Sequence, residues 1–208
     1  PAPDLEPHSF PELPSRLPFD SPHYATPRGP SSSVVRNPNR LTLEGKESLE
    51  SNFEQAMLAR RLTSQRSTVT TRLSFEPESF QQMAGLAAYY NTYLFHYLYL
   101  SMDEDKGLCL QIHSCDDGVS SFPLGSGIIA VWTGELFLRA TFEDKDLQFH
   151  FSEDGENFRE AGPVLDASIL SDDHGEHWGF TGSFVALACQ DLTGSSLQAN
   201  FDFLELSS

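Results

Sequence analysis

The chain has 208 residues, with sixteen phenylalanines and six tyrosines against three methionines, enough for one large domain with a core built from rings. Its formal net charge of −17 argues against nucleic acid and anionic membranes, which need basic patches, and fits a neutral ligand or plain solubility. Cys109, Cys115 and Cys189 make neither a disulfide framework nor a zinc-spaced cluster and read as buried free thiols, and no stretch is long enough to span a bilayer.

The chain opens Pro1-Ala2-Pro3, without an initiator methionine or a signal peptide. We expect a piece of a longer protein, so the compartment, cytoplasmic or secreted, stays open. Residues 1–40 hold ten prolines and no periodicity. They read as an extended segment lying on the domain, pinned by Phe10, Leu17 and Phe19, or as a flexible tether to it.

Residues 41–208 read as one β-sandwich domain. Its strands begin at Leu41-Thr42-Leu43, followed by Gln55 to Leu62 and the alternating Ser67 to Phe75. Residues Glu76 to Asp103 are the stretch around which the rest is organised. Tyr93, Phe95, Tyr97 and Tyr99 alternate with Leu94, His96, Leu98 and Leu100. Period two favours two strands with a turn at Tyr90-Asn91-Thr92 over the competing buried helix. Both faces are apolar, which predicts a central hairpin covered on both sides. Leu108 to His113 is the next strand, with a turn at Asp116-Asp117-Gly118. Ile128 to Trp132 and Glu135 to Phe142 read as a hairpin across Thr133-Gly134. Asp146 to Ser152 places Leu147, Phe149 and Phe151 on one side, and Asp154-Gly155 turns the chain. Phe180 to Gln190 and Ala199 to Leu206 close the fold. About ten to twelve strands with short turns predict an all-β sandwich of two antiparallel sheets. Short helical suggestions lie only near Ser48–Gln55 and Pro163–Leu170.

No GxSxG, HExxH, P-loop or GxGxxG motif occurs, and no carboxylate pair stands out for glycoside hydrolysis, so no catalytic residue is assigned. The most suggestive run is Leu170 to Asp191. Glycines on both sides of Phe180, at Gly179 and Gly182, allow a sharp turn that presents this ring outward as a wall for a sugar. The competing reading has Trp178 and Phe180 plug the end of the sandwich. His174 and His177 with the neighbouring acids could hold a metal, though a solvated loop is the plainer reading. For a structural calcium the weak candidate is Asp202, because the neighbouring position is the amide Asn200. No other metal or cofactor is expected.

Several runs resemble the C-terminal β-sandwich of glycoside hydrolase family 43 β-xylosidases, also classed as carbohydrate-binding module family 91. They include Leu43 to Leu49, Ala59-Arg60-Arg61, Phe75 to Pro77, Phe80 to Leu86 and Tyr89 to Thr92. They continue with Ser152 to Phe158, Gly162 to Ala167, Gly179 to Val185 and Ala199 to Phe203, in matching order and spacing from about Leu41 onward. The resemblance implies a concanavalin A-like jelly roll attached to a five-bladed catalytic β-propeller that carries the three catalytic acids, none of them in this chain. It implies that Phe180, in the family's Phe-Thr-Gly loop with Thr181 and flanked by Gly179, closes one side of the pocket around a terminal xylose. Trp178, His177, Tyr89 and Tyr90 are further candidate sugar contacts. The histidines and tryptophan just before the loop depart from the family pattern. The expected partners are xylose or xylo-oligosaccharide and the propeller, with self-association open. The competing functions are an autonomous xylan-binding module and a purely structural packing or dimerisation domain. Exposure of Tyr89, Tyr90 and Tyr93 on an open face would favour the module.

Overall fold

The computed structural model describes residues 14–26, 33–175 and 182–208. Among these the chain forms sixteen strands in two antiparallel sheets, and no helix is long and apolar enough to cross a membrane. With strands numbered in chain order, the first sheet contains β1 (Tyr24–Ala25), β4 (Ala56–Arg61), β6 (Gln82–Asn91), β7 (Leu94–Asp103), β8 (Gly107–Asp116), β9 (Val119–Ser121), β10 (Ile129–Ala130) and β15 (Phe184–Asp191). The second contains β2 (Val34–Asn37), β3 (Arg40–Glu44), β5 (Arg66–Ser74), β11 (Glu135–Glu143), β12 (Asp146–Ser152), β13 (Arg159–Glu160), β14 (Leu165–Asp166) and β16 (Gln198–Ser207).

The tyrosine-rich hairpin is β6 and β7, and it occupies the middle of the first sheet, in the order β1-β4-β15-β6-β7-β8-β10. Successive side chains of a strand point to opposite faces. On β7, Leu94, Leu98 and Leu100 therefore join the core shared with Leu73, Leu138, Phe149 and Phe201 of the second sheet. Phe95, Tyr97 and Tyr99 point the other way and form a separate cluster with Met57, Ala59, Ala87, Tyr89 and Leu49. This outer face is covered by the chain itself. Residues 46–54 run across it as a strap, with Leu49 buried at 3% exposure. The Gln55 side chain holds the strap by donating to the carbonyls of Leu49 (2.7 Å) and Ser51 (2.9 Å). Asn52 reaches Thr92, and Glu50 accepts a hydrogen bond from Ser120. The span from Ser48 to Gln55 is thus turns and bends, not the short helix expected there.

Other expectations change in detail. The predicted hairpin of Ile128–Trp132 with Glu135–Phe142 does not form. Ile129–Ala130 pairs with β8 in the first sheet, whereas Glu135–Glu143 pairs with β5 and β12 in the second. Between them the chain crosses layers at Gly134, whose carbonyl accepts from Phe75 N (2.9 Å) and whose Cα sits too close to Phe75 O for a side chain. Paired strands precede Leu41, because Tyr24–Ala25 docks on β4 and Val34–Asn37 on β3. The Asp-Gly turn lies in a longer loop to β13, where Asp154 accepts from the amides of Glu156 and Asn157, both at 2.8 Å. In the central hairpin β6 continues to Asn91, with a bulge at Tyr90. Of the suggested helices, a single 3-10 turn exists at Ala167–Leu170, N-capped by Asp166. All three cysteines are buried free thiols.

Candidate functional site

The residues that flank the proposed Phe-Thr-Gly loop lie at one end of the sandwich. Gly179, Phe180, Thr181, Trp178 and His177 lie outside the described residues, but both stems of this loop are described. The leading stem, residues 170–175, is tied down at two points. Tyr90 donates its hydroxyl to Asp172 Oδ1 (2.5 Å), and His174 Nε2 lies 2.6 Å from Asp116 Oδ1. Behind it, His96 bridges Ser114 Oγ (2.8 Å) and the Asp166 carbonyl (3.1 Å). On the trailing stem, Ser183 donates to the Leu170 carbonyl (2.6 Å), which closes the two stems on each other. Gly182 has φ 73°, and a Cβ there would meet the Arg61 guanidinium at 3.2 Å. The positive φ favours glycine at this position, whereas the exposed Arg61 side chain can give way to a Cβ.

Beside the stems lies a groove of about 620 Å³. Leu62, Phe142 and Leu170 contribute its apolar lining, and Thr63, Ser168 and Lys145 part of its polar lining.

The remaining candidates are placed differently. Tyr89 and Tyr90 are each only 3% exposed. Tyr89 lies under the strap, its ring 6.3 Å from that of Phe95, and Tyr90 faces the shared core apart from its hydroxyl. Neither forms part of an open sugar platform. Asp202 is held by Arg72 Nη1 at 3.0 Å, and Asn200 Oδ1 accepts from Thr42 (2.7 Å) and Arg40 (3.2 Å). A guanidinium, rather than a set of oxygen donors, surrounds the weak calcium candidate. Of the histidine pair offered for a metal, His174 is engaged with Asp116 and His177 is outside the described residues. Among the described residues no group of three or more His, Cys, Asp or Glu is placed to hold an ion. Asp116, Asp172 and Arg61, which shape the stems, were not singled out from the sequence. They look like ordinary turn and strand-end residues, and only their long-range partners distinguish them.

The histidines desolvated by the fold predict that the domain loses stability in acid. Burial lowers the pKa of His96, His113 and His150 below the ordinary 6.5. The Asp166 carbonyl opposes this at His96 and Glu50 opposes it at His113, whereas Arg139 adds to it at His150. A depressed histidine stabilises the fold fully above its unfolded pKa, and that contribution is lost as pH falls through the folded value. Hydrogen bonds hold the Asp154 carboxyl well below its usual range. Burial alone would raise Asp191, but donors from Leu197, Thr193 and Ser195 overrule it. These acids therefore act only below the histidine window. Calorimetry should show Tm falling between pH 7 and pH 5, by about 2–4 °C for each kcal/mol lost. A flat or rising Tm over that window would contradict the histidine account.

A family model described as the beta xylosidase C-terminal concanavalin A-like domain (GH43_C2) matches residues 16–207. The chain is 40% identical over 176 residues to xylosidase/arabinosidase 43B of Humicola insolens, covering 81% of this chain and 33% of that protein. It is 37% identical over 173 residues to a beta-xylosidase of Bacillus subtilis, covering 82% and 32% respectively. The solved xylan beta-1,4-xylosidase from Bacillus halodurans superposes with a TM-score of 0.89 at 35% identity, covering 99% of this chain and 41% of that one. The chain thus spans about a third of the length of these two relatives. By sequence match and by its two antiparallel sheets, the chain belongs to the GH43 β-xylosidase C-terminal concanavalin A-like domains.

Proposed function

We propose that this domain closes one side of the sugar pocket of an exo-acting xylan-degrading enzyme, a β-xylosidase, whose catalytic carboxylates sit on a β-propeller outside this chain. Phe180 supplies an apolar wall against the terminal xylose, with Gly179 and Thr181 setting its pose. The wall excludes water and longer chains from that side, while hydrolysis itself belongs to the propeller acids.

The observation that carries this reading is the contrast between the two aromatic regions. The tyrosine face, which an autonomous module would use, is buried under residues 46–54. The loop stems at the sandwich end are instead pinned by Tyr90, His174 and Ser183. A fixed stem suits a ring that must meet a second domain in one pose.

The packing reading draws on a different observation. Trp132, Phe80 and Leu192 are 89%, 58% and 48% exposed. Strand register puts all three at the opposite end of the first sheet.

Removing this domain from the joined enzyme tests the proposal. Activity on xylobiose should fall by at least about a hundredfold, the scale for losing both a pocket wall and water exclusion. Undiminished turnover by the catalytic domain alone would rule the role out.

A further inference from the structure

Residues 46–54 cover the tyrosine face of the first sheet, and a buried histidine lies where they are fastened. His113 is 8% exposed and stands on β8 opposite Tyr97. Phe95 meets its ring edge-on at 5.1 Å, and Phe122 stacks on it at 5.0 Å. His113 Nε2 lies 2.9 Å from Ser120 Oγ, and Ser120 Oγ in turn donates to Glu50 of the strap. A serine has one proton to give. Because that proton goes to the Glu50 carboxylate, Ser120 accepts from His113, which places the imidazole proton on Nε2. A single hydroxyl thus links the buried ring to the strap.

Of the three histidines that burial lowers, His113 is the one on the strap's side. His96 lies on the core side of β7, and His150 belongs to the second sheet. The titratable groups that face His113 are Glu50 from the strap, Tyr97 from β7 and Cys115 two residues along its own strand. Burial raises Tyr97 and pushes Cys115 up to about 11, so neither carries charge at neutral pH or below. Strand β9 and Phe122 bring no charge. That leaves Glu50, 3.9 Å from Nε2 and itself partly exposed, as the counter-charge of a protonated ring. Its attraction is outweighed by the loss of hydration. A second proton, on Nδ1, therefore favours a state in which the ring reaches water, and it reaches water when the strap and Phe122 move off it.

We propose that His113, Ser120 and Glu50 form a pH-sensitive latch that holds residues 46–54 on the tyrosine face at neutral pH and releases them in acid. The opening is local. It uncovers Leu49 and the cluster of Phe95, Tyr97 and Tyr99, while the second sheet stays paired. The latch does not depend on the function proposed above.

Hydrogen exchange of the 208-residue chain at about pH 7 and about pH 5, corrected for intrinsic rates, tests it. That window lies above the ordinary carboxylate range, so a change within it belongs to histidine. The reporters are the amides of Glu47 and Ser51, which donate to the carbonyls of Glu54 (3.1 Å) and Ser48 (2.9 Å) within the strap. The amides of β11 in the second sheet are the reference. Strap protection should fall at least about threefold on acidification, with the reference unchanged. His113→Gln keeps an N–H for Ser120 but cannot titrate, and it should abolish the fall. Should that variant fail to fold, Ser120→Ala on the exposed strand β9 carries the test, because it breaks the relay and should lower strap protection already at pH 7. The latch is overturned by strap protection that is equal at the two pH values, or by a fall that β11 shares in full. It is equally overturned if folded His113→Gln responds as wild type, or if Ser120→Ala protects the strap at pH 7 as wild type does.

Discussion

Gly85→Ala should cost this domain about 3 kcal/mol or more, the largest stability loss expected from so small a change. Gly85 sits on β6 between Tyr99 of β7 and Ala188 of β15, in the middle of the first sheet. A Cβ at this position would lie 2.0 Å from the Leu98 carbonyl oxygen and 2.8 Å from the Tyr99 Cα. Both are backbone atoms of paired strands, so neither can yield without breaking ladder hydrogen bonds. The missing side chain also leaves room where Tyr97 and Tyr99 pack at 5.3 Å. Gly107→Ala is the control. Its φ of 76° is strained for alanine, but nothing lies within 4 Å, so the loss should stay near 1 kcal/mol. Urea unfolding of the two variants checks the contrast. A Gly85→Ala midpoint equal to that of Gly107→Ala would mean that the sheet relaxes locally.

The sequence carried the central hairpin because Tyr93 to Leu100 alternates without interruption, and such alternation favours a pleated strand covered on both faces over a buried helix. It did not carry what covers the outer face. Residues 46–54 have no periodicity, and their hold on the sheet comes from the Gln55 side chain and from partners near Thr92 and Ser120, far along the chain. The failed hairpin at Thr133-Gly134 has the same origin. Local turn residues do not say whether the next strand stays in its sheet, and here the crossing is set by Phe75. The candidate site was legible in part. Gly182, one of the two glycines read as flanking a turn, has a φ of 73°, a conformation that favours glycine. Tyr89 and Tyr90 were offered as sugar contacts because aromatics at a surface and in a core look alike in sequence. Their 3% exposure comes from cover supplied by other segments.

The second large effect concerns Phe180. If one apolar wall of the pocket is lost, the transition state loses its complement on that side, worth about 1–3 kcal/mol. Because the ring is proposed to meet sugar rather than core, the sandwich should keep its stability. Phe180→Ala thus separates cleanly from Gly85→Ala, which should lower stability and reduce activity only through the loss of folded protein.

The most direct test is therefore the kinetics of Phe180→Ala in the enzyme joined to its catalytic domain, on xylobiose, with Tm measured alongside. The account predicts kcat/KM lower by about tenfold to a hundredfold at unchanged Tm. Wild-type kinetics, or a loss of activity that tracks a fall in Tm, would contradict it.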